Sequence, residues 1–213
     1  MVKKICSQII EGILAGIMIT IGCCVFLACE IKWVGAIFFS VALLTICYRG
    51  YSLYTGKIGL IISNHTKEDI SVLLLGLLGN VIACTLFGLL VHYALPNLAE
   101  TANNVVNAKL QQAFYQALIR GIFCGILMYV AVIVFREHNK NPIGILFCIP
   151  VFILAGFEHS IADMGYFAIA GVYSWKGFGY IWTIILGNTI GGILLPALRL
   201  IRKPSKNQDT KNN

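Results

Sequence analysis

The sequence predicts an all-α membrane protein of six transmembrane helices, arranged as two inverted three-helix repeats whose second and fifth helices are broken. Three observations predict it. The first is composition: of 213 residues, 58% are hydrophobic and 12% charged, with a mean hydropathy of +0.83. An average soluble domain carries roughly 25% charge. So few charges cannot coat a water-soluble globule of this size, and so many apolar residues exclude a disordered chain. The second is run length. Several apolar runs approach or exceed the ~20 residues that a helix needs to cross a bilayer, and the ~10-residue alternating segments of a transmembrane barrel are absent. The third is an internal repeat.

Span one covers about 8–29. Lys3 and Lys4 ahead of it imitate a signal peptide, and Phe26-Leu27-Ala28-Cys29 imitates a lipoprotein cleavage box. An apolar run of about 17 residues is long for a signal core, so a retained helix is expected. Span two covers about 34–47 with a shorter apolar piece at 58–63, span three 70–95 and span four 113–135. Span five covers 143–156 with a second piece at 165–173, and span six 180–201. Spans two and five therefore read as broken, each around a glycine-containing polar patch, 49–57 and 156–163. Non-helical backbone at membrane depth is tolerated only where protein or a water-filled path surrounds it.

The repeat rests on three landmarks in order. Gly12-Ile13-Leu14-Ala15-Gly16 matches Gly121-Ile122-Phe123-Cys124-Gly125 at an offset of 109, Leu78-Gly79-Asn80 matches Leu186-Gly187-Asn188 at 108, and Gly50 matches Gly156 at 106. Repeat one is about 8–95 and repeat two about 110–201, in a single transmembrane channel domain with a cytoplasmic tail at 202–213. Three spans per repeat is an odd number, so the second repeat crosses the membrane in the opposite sense. Such architectures place the substrate path at the repeat interface, beside the discontinuous helices. Gly12xxxGly16 and Gly121xxxGly125 permit close helix approach.

Lysine plus arginine number 16 against 9 acidic residues. If six spans alternate, Lys3, Lys4, Lys57, Lys67, Arg136, Lys140, Arg199, Arg202, Lys203, Lys206 and Lys211 share one side, which puts both termini in the cytoplasm. The basic residues sit in short loops and tails rather than on one face of a soluble module, so no nucleic-acid partner is expected. The eight cysteines lie nearly all within apolar runs and lack metal-ligand spacing, so they read as reduced core residues, with neither a metal nor a cofactor.

The chemistry gathers at the breaks. An ionisable side chain at the bilayer centre costs at least about 2.5–3.5 kcal/mol, so Glu158 and His159 are expected to face a cavity or a partner. Histidine also changes charge near neutral pH. Glu158 is expected to stabilise its break by accepting hydrogen bonds from freed backbone amides, and Asn80 and Asn188 are assigned to the same task. Asp163 suits the positive end of the second half-helix. Thr55 is the matching polar group in the first break, as part of a small-anion site, as a helix cap, or as both. Lys109 is either a cation that concentrates anions at a pore mouth or a solvated loop lysine. Phe39, Leu43, Leu53, Tyr54 and Phe152 fit apolar collars that exclude hydrated cations, and their spacing is equally that of ordinary core.

These residues resemble the formate/nitrite transporter family of pentameric anion channels over about 8–200. The most specific piece is Gly156-Phe157-Glu158-His159-Ser160-Ile161-Ala162-Asp163-Met164, similar to the family's segment-five signature, with Leu53-Tyr54-Thr55 and the two Gly-Asn pairs in the same pattern. The resemblance implies an aquaporin-like fold, one pore per protomer and a homopentamer in the cell membrane. His159 would be the pore histidine and Thr55 its partner. Leu53, Tyr54, Phe39 and Leu43 would form the cytoplasmic constriction and Phe152 the periplasmic one. Lys109 would help attract the anion and lower the histidine's proton affinity. The implied cargo is a small monovalent anion of a weak acid (formate, nitrite or hydrosulfide), hydrogen-bonded or protonated by His159, with passage of a proton left open. Four features depart from the pattern: a short stretch before the first span, which argues against gating by an N-terminal helix, Tyr54 where formate channels usually carry Phe, Gly125 for a pore-side polar residue, and Asp163 for Asn.

Two rivals stand beside this reading. A water or neutral-solute channel of aquaporin type would carry Asn-Pro-Ala boxes at its half-helix starts, and neither break has one. An intramembrane enzyme using Glu158, His159 and Asp163 would need an HExxH motif, a second nearby histidine or a nucleophile–base pair, and none is present.

Overall fold

A computed structural model describes residues 2–62 and 66–202. Ser63, at the end of the expected second piece of span two, and Lys203, Lys206 and Lys211 of the basic tail lie outside the described residues. The described residues fold into α1 (Val2–Ala28), α2 (Lys32–Arg49), α3 (Tyr54–Lys57) with a 3₁₀ turn (Ile58–Ile62), α4 (Lys67–Ala94), α5 (Pro96–Leu110), α6 (Phe114–Glu137), α7 (Ile143–Leu154), α8 (Ser160–Ala170) and α9 (Trp175–Arg202). Of these, α1, α2, α4, α6 and α9 are long and apolar enough to cross a membrane. At 1.5 Å per residue, the 12 residues of α7 and the 11 of α8 reach about 18 and 16 Å. Neither alone matches a hydrocarbon core of about 30 Å.

Local chemistry sets the ends. Thr66 opens α4 with a capping box: its Oγ1 accepts the Asp69 amide at 3.2 Å, and Asp69 Oδ2 accepts the Thr66 amide at 2.9 Å. Pro96 opens α5 in the first turn, where its missing N–H costs nothing. Gly50 and Gly156 follow the halves that end at Arg49 and Leu154, with φ of 77° and 73°. A left-handed φ is open to glycine and strained for most other residues, which is why both turns carry glycine.

Helices α1 and α4 pack on each other, as do α6 and α9. Both crossings run through the glycines marked in the sequence. A side chain on Gly12 would strike the Gly76 backbone, and one on Gly16 would meet Ala83 and Asn80. A side chain on Gly121 would meet Gly187, and one on Gly125 would strike Asn188. Between lipid-embedded helices, where water expulsion gives little drive, such backbone contact supplies the packing energy. Here it also brings Asn80 and Asn188 against the neighbouring main chain. Many large apolar side chains, among them Phe38, Leu74, Leu86, Phe147 and Trp182, point outward, as the exterior of a multi-pass membrane protein requires.

Candidate functional site

Each of the non-helical stretches at 50–53 and 155–159, the breaks expected from the sequence, is held by one asparagine. Asn80 Nδ2 donates to Gly12 O at 2.8 Å and Ser52 O at 2.9 Å, and Asn80 Oδ1 accepts the Tyr54 amide at 3.0 Å. Asn188 Nδ2 donates to Gly121 O and Glu158 O, both at 2.8 Å, and Asn188 Oδ1 accepts the Ser160 amide at 2.8 Å. A main-chain bond completes each set: Ser52 N–H to Glu11 O at 3.1 Å, and Glu158 N–H to Arg120 O at 3.3 Å. Both asparagines are fully buried. Backbone groups freed by the interruptions thus find partners without water, as buried amides and carbonyls must.

Behind the breaks sit two short helices whose N-caps, Leu53 and His159, are both extended, with φ of −89° and −110°. His159 caps α8 with its own ring, Nδ1 accepting the Ala162 amide at 3.0 Å. The neutral imidazole therefore carries its proton on Nε2. That Nε2 lies 2.8 Å from Thr55 Oγ1, so the ring donates to the hydroxyl and joins the two breaks. Phe152 stacks on the imidazole at 5.8 Å between centroids, and Phe39 meets Phe152 edge-on at 6.5 Å. Leu43, Leu53 and Tyr54 are buried beside them. Tyr54 is fixed at both ends, its amide on Asn80 and its phenol 2.7 Å from Thr189 Oγ1 of α9.

A cavity of about 490 Å³ opens on one side of this group, lined by Lys32, Lys109, Arg120, Phe152, His159 and Asp163 among others. A second of about 500 Å³ opens beside Leu43, Leu53 and Gly56, with Lys57, Arg136 and Lys140 on its wall. Each holds three cationic side chains.

Lys109, from α5, is drawn inward. Its Nζ pairs with the Glu158 carboxylate, lies 3.0 Å from Asp163 Oδ1 and stands 5.8 Å from the centroid of the Tyr166 ring. Burial alone would lower the proton affinity of this ammonium. The Asp163 and Glu158 carboxylates outweigh it and hold the group above the ordinary lysine value. Glu158 also accepts from Gln112 Nε2 at 2.9 Å. Its carboxylate thus meets side chains of the α5 region, where backbone amides were expected, because Asn188 and Arg120 O already serve the main chain of the break. Gln112, Tyr166 and Thr189 were not singled out in the sequence, and Lys57, Arg136 and Lys140 were marked only as loop charges that set the orientation. Gln112 follows Lys109 by three residues and Thr189 follows Asn188 directly, which is the signal that could have found them.

The family model described as formate/nitrite transporter matches residues 1–201. The chain is 30% identical to the uncharacterised transporter YrhG of Bacillus subtilis over 78% of this chain and 69% of that protein. It is 26% identical to the nitrite transporter NirC of Salmonella typhimurium over 75% of this chain and 66% of that one, so these alignments span about two thirds of the relatives' lengths. Among solved structures, an FNT family ion channel superposes with a TM-score of 0.80 at 21% identity, over 93% of this chain and 90% of that one. A pentameric formate channel with formate bound superposes with a TM-score of 0.79 at 20% identity, over 93% and 97%.

Proposed function

The chain belongs to the formate/nitrite transporter family, and from that premise we propose that it is a channel for small, singly charged anions of weak acids: formate, nitrite or hydrosulfide. Members of the family are transporters and channels rather than enzymes. The observation that carries the reading is the Thr55–His159 bond at 2.8 Å, between buried side chains that stand beside two cavities, each lined by three cations.

The chemistry follows from the hydrogen-bond directions. Cations in the cavities raise the local anion concentration. The aromatic and aliphatic collar of Phe39, Phe152, Leu43, Leu53 and Tyr54 disfavours hydrated cations. With Nδ1 occupied, His159 offers its Nε2–H, and Thr55 has its own hydroxyl proton to give. Together they replace part of an anion's hydration at the narrowest point. In this reading His159 hydrogen-bonds the anion as a neutral donor.

The matched bonds of Asn80 and Asn188 support two inverted repeats with a broken second helix, formed by α2 and α3, and a broken fifth, formed by α7 and α8, in an aquaporin-like frame. The loop charges favour cytoplasmic termini, which sets the Lys57–Arg136–Lys140 cavity inside and the Lys109 cavity outside. Likeness to the pentameric formate channel supports five copies, each with its own pore.

Flux into proteoliposomes tests the proposal, with formate, nitrite, hydrosulfide, chloride and glycerol supplied in turn. The weak-acid anions are expected to pass faster than chloride, glycerol is expected to stay out, and His159→Asn is expected to slow the anions. Glycerol uptake without anion flux would instead establish a neutral-solute pore.

A further inference from the structure

Asp163 is left over when the breaks, the collar and the histidine are accounted for. It lies in the first turn of α8, one turn after His159, is 1% exposed, and lines the cavity beside Lys109. One ammonium, Lys109, serves both Glu158 and Asp163. The cluster therefore holds one negative charge in excess when both carboxyls are ionised, at a place an anion must pass. Asp163 Oδ1 has Lys109, whereas Asp163 Oδ2 is buried with no hydrogen-bond donor among the described residues. Two carboxyls crowded into one site resist ionising together.

Among the described residues, the groups facing Asp163 from the elements packed on α8 supply no second cation in contact. They are Lys109 from α5, Glu158 and His159 from the break, Tyr166 from α8 itself, Cys23 from α1, Cys124 from α6 and Tyr180 from α9. From α4, Cys84 points its thiol at the Ile161 carbonyl, and from α3 the Tyr54 phenol is bonded to Thr189. Arg120 and Lys32 line the same cavity. His159 is a poor place to load a proton, since the second proton of an imidazolium must sit on Nδ1. That atom holds the Ala162 amide, and the new charge would face the positive end of α8.

We propose that Asp163 is the site where a proton joins the anion, taken up by its carboxylate from a hydronium ion in the cavity beside Lys109, with one hydronium O–H bond breaking to leave water. An O–H bond forms on Asp163 and the carboxylate becomes a neutral acid, which removes the excess charge and admits the anion to Lys109 and the Nε2–H of His159. On transfer that O–H bond breaks, the proton bonds to the anion's oxygen or sulfur, and the neutral acid moves on through the collar. No electrons change hands, and Asp163 is again a carboxylate. This inference rests on the anion-channel reading above.

The test uses the purified full chain in liposomes holding a pH-sensitive dye, with formate or nitrite as cargo. The parent is expected to deliver one proton with each anion and to slow by up to ~tenfold per pH unit as the outer solution turns alkaline. Asp163→Asn, which keeps the shape and removes the charge, is expected to lose the proton signal and most of that slope while still passing anions. An Asp163→Asn channel with the parent's slope and proton yield would overturn the inference and leave the channel reading standing. A parent that passes no anion would remove that reading, and this inference with it. A measurement on the unsubstituted protein covers a variant that does not fold. Infrared difference spectra between mildly acidic and alkaline buffer should show a protonated carboxyl C=O band that titrates, and its absence would also overturn the proposal.

Discussion

Asn80 and Asn188 hold the same three hydrogen bonds in two different places: two donated to main-chain carbonyls, one on a neighbouring helix and one in a break, and one accepted from the first amide of a short helix. In each place the one side chain works beside a single main-chain bond, Ser52 N–H to Glu11 O or Glu158 N–H to Arg120 O.

Removing either side chain leaves two buried backbone groups, one carbonyl and one amide beside the short helix, without partners, and leaves the carbonyl of Gly12 or Gly121 with its intrahelical bond alone. Each such group costs about 1–3 kcal/mol, so Asn80→Ala and Asn188→Ala are each expected to lose several kcal/mol of stability. Asn→Asp at either position should do little better, because a carboxylate cannot donate the two bonds. Thermal unfolding in detergent checks this, and midpoints equal to the parent's would show the bonds to be dispensable.

The glycine seams give a sharper contrast. Gly125→Val should abolish folded protein, since its side chain would strike the Asn188 backbone. Gly179→Ala, where nothing lies within 4 Å, should be neutral or stabilising by up to about 1 kcal/mol, the helix-propensity difference. Yield of monodisperse protein separates the two, and equal yields would refute the role given to the seam.

Thr55→Val keeps the shape and deletes the hydroxyl. Loss of one buried hydrogen bond costs about 0.5–1.5 kcal/mol in stability. The larger effect is expected on transport, because the anion would lose one of the two donors of the proposed site. Anion flux is expected to drop by about tenfold, the equivalent of 1.4 kcal/mol, and Thr55→Ser is expected to restore most of it. Flux through Thr55→Val equal to the parent's would detach the hydroxyl from the mechanism.

Lys109→Met strands Glu158 and Asp163 in a buried site. Deleting one member of a buried ion pair typically costs 3–5 kcal/mol, because the partner's charge is left uncompensated. The single variant should therefore be strongly destabilised, and adding Glu158→Gln with Asp163→Asn should recover much of the loss. Unfolding midpoints of the single and triple variants decide it: a triple variant no more stable than the single would mean that Lys109 acts otherwise than through these carboxyls.

The long apolar helices were legible in the sequence, because apolar run length sets them, and glycine with polar residues marked the non-helical stretches that separate α2 from α3 and α7 from α8. Ends were less legible. Helix α1 starts at Val2 and α9 at Trp175, several residues before the hydrophobic runs at about 8 and 180, since polar residues continue a helix beyond its apolar stretch. The segment after span three carries the helix α5, whose composition is too polar to announce one. Both members of the Thr55–His159 pair were marked as pore residues, but their bond joins positions 104 apart, and no spacing rule conveys such a distance. The same holds for Glu158, whose partners Lys109 and Gln112 lie more than 40 residues earlier.

Tyr54 is tied to α4 through its amide and to α9 through its phenol. A strap buckled at both ends does not flap. In the channel proposed above, a valve would therefore work by turning a ring such as Phe39 or by rearranging chain at the cavity mouths, while the strip at 53–55 would stay still and keep the bore at one calibre.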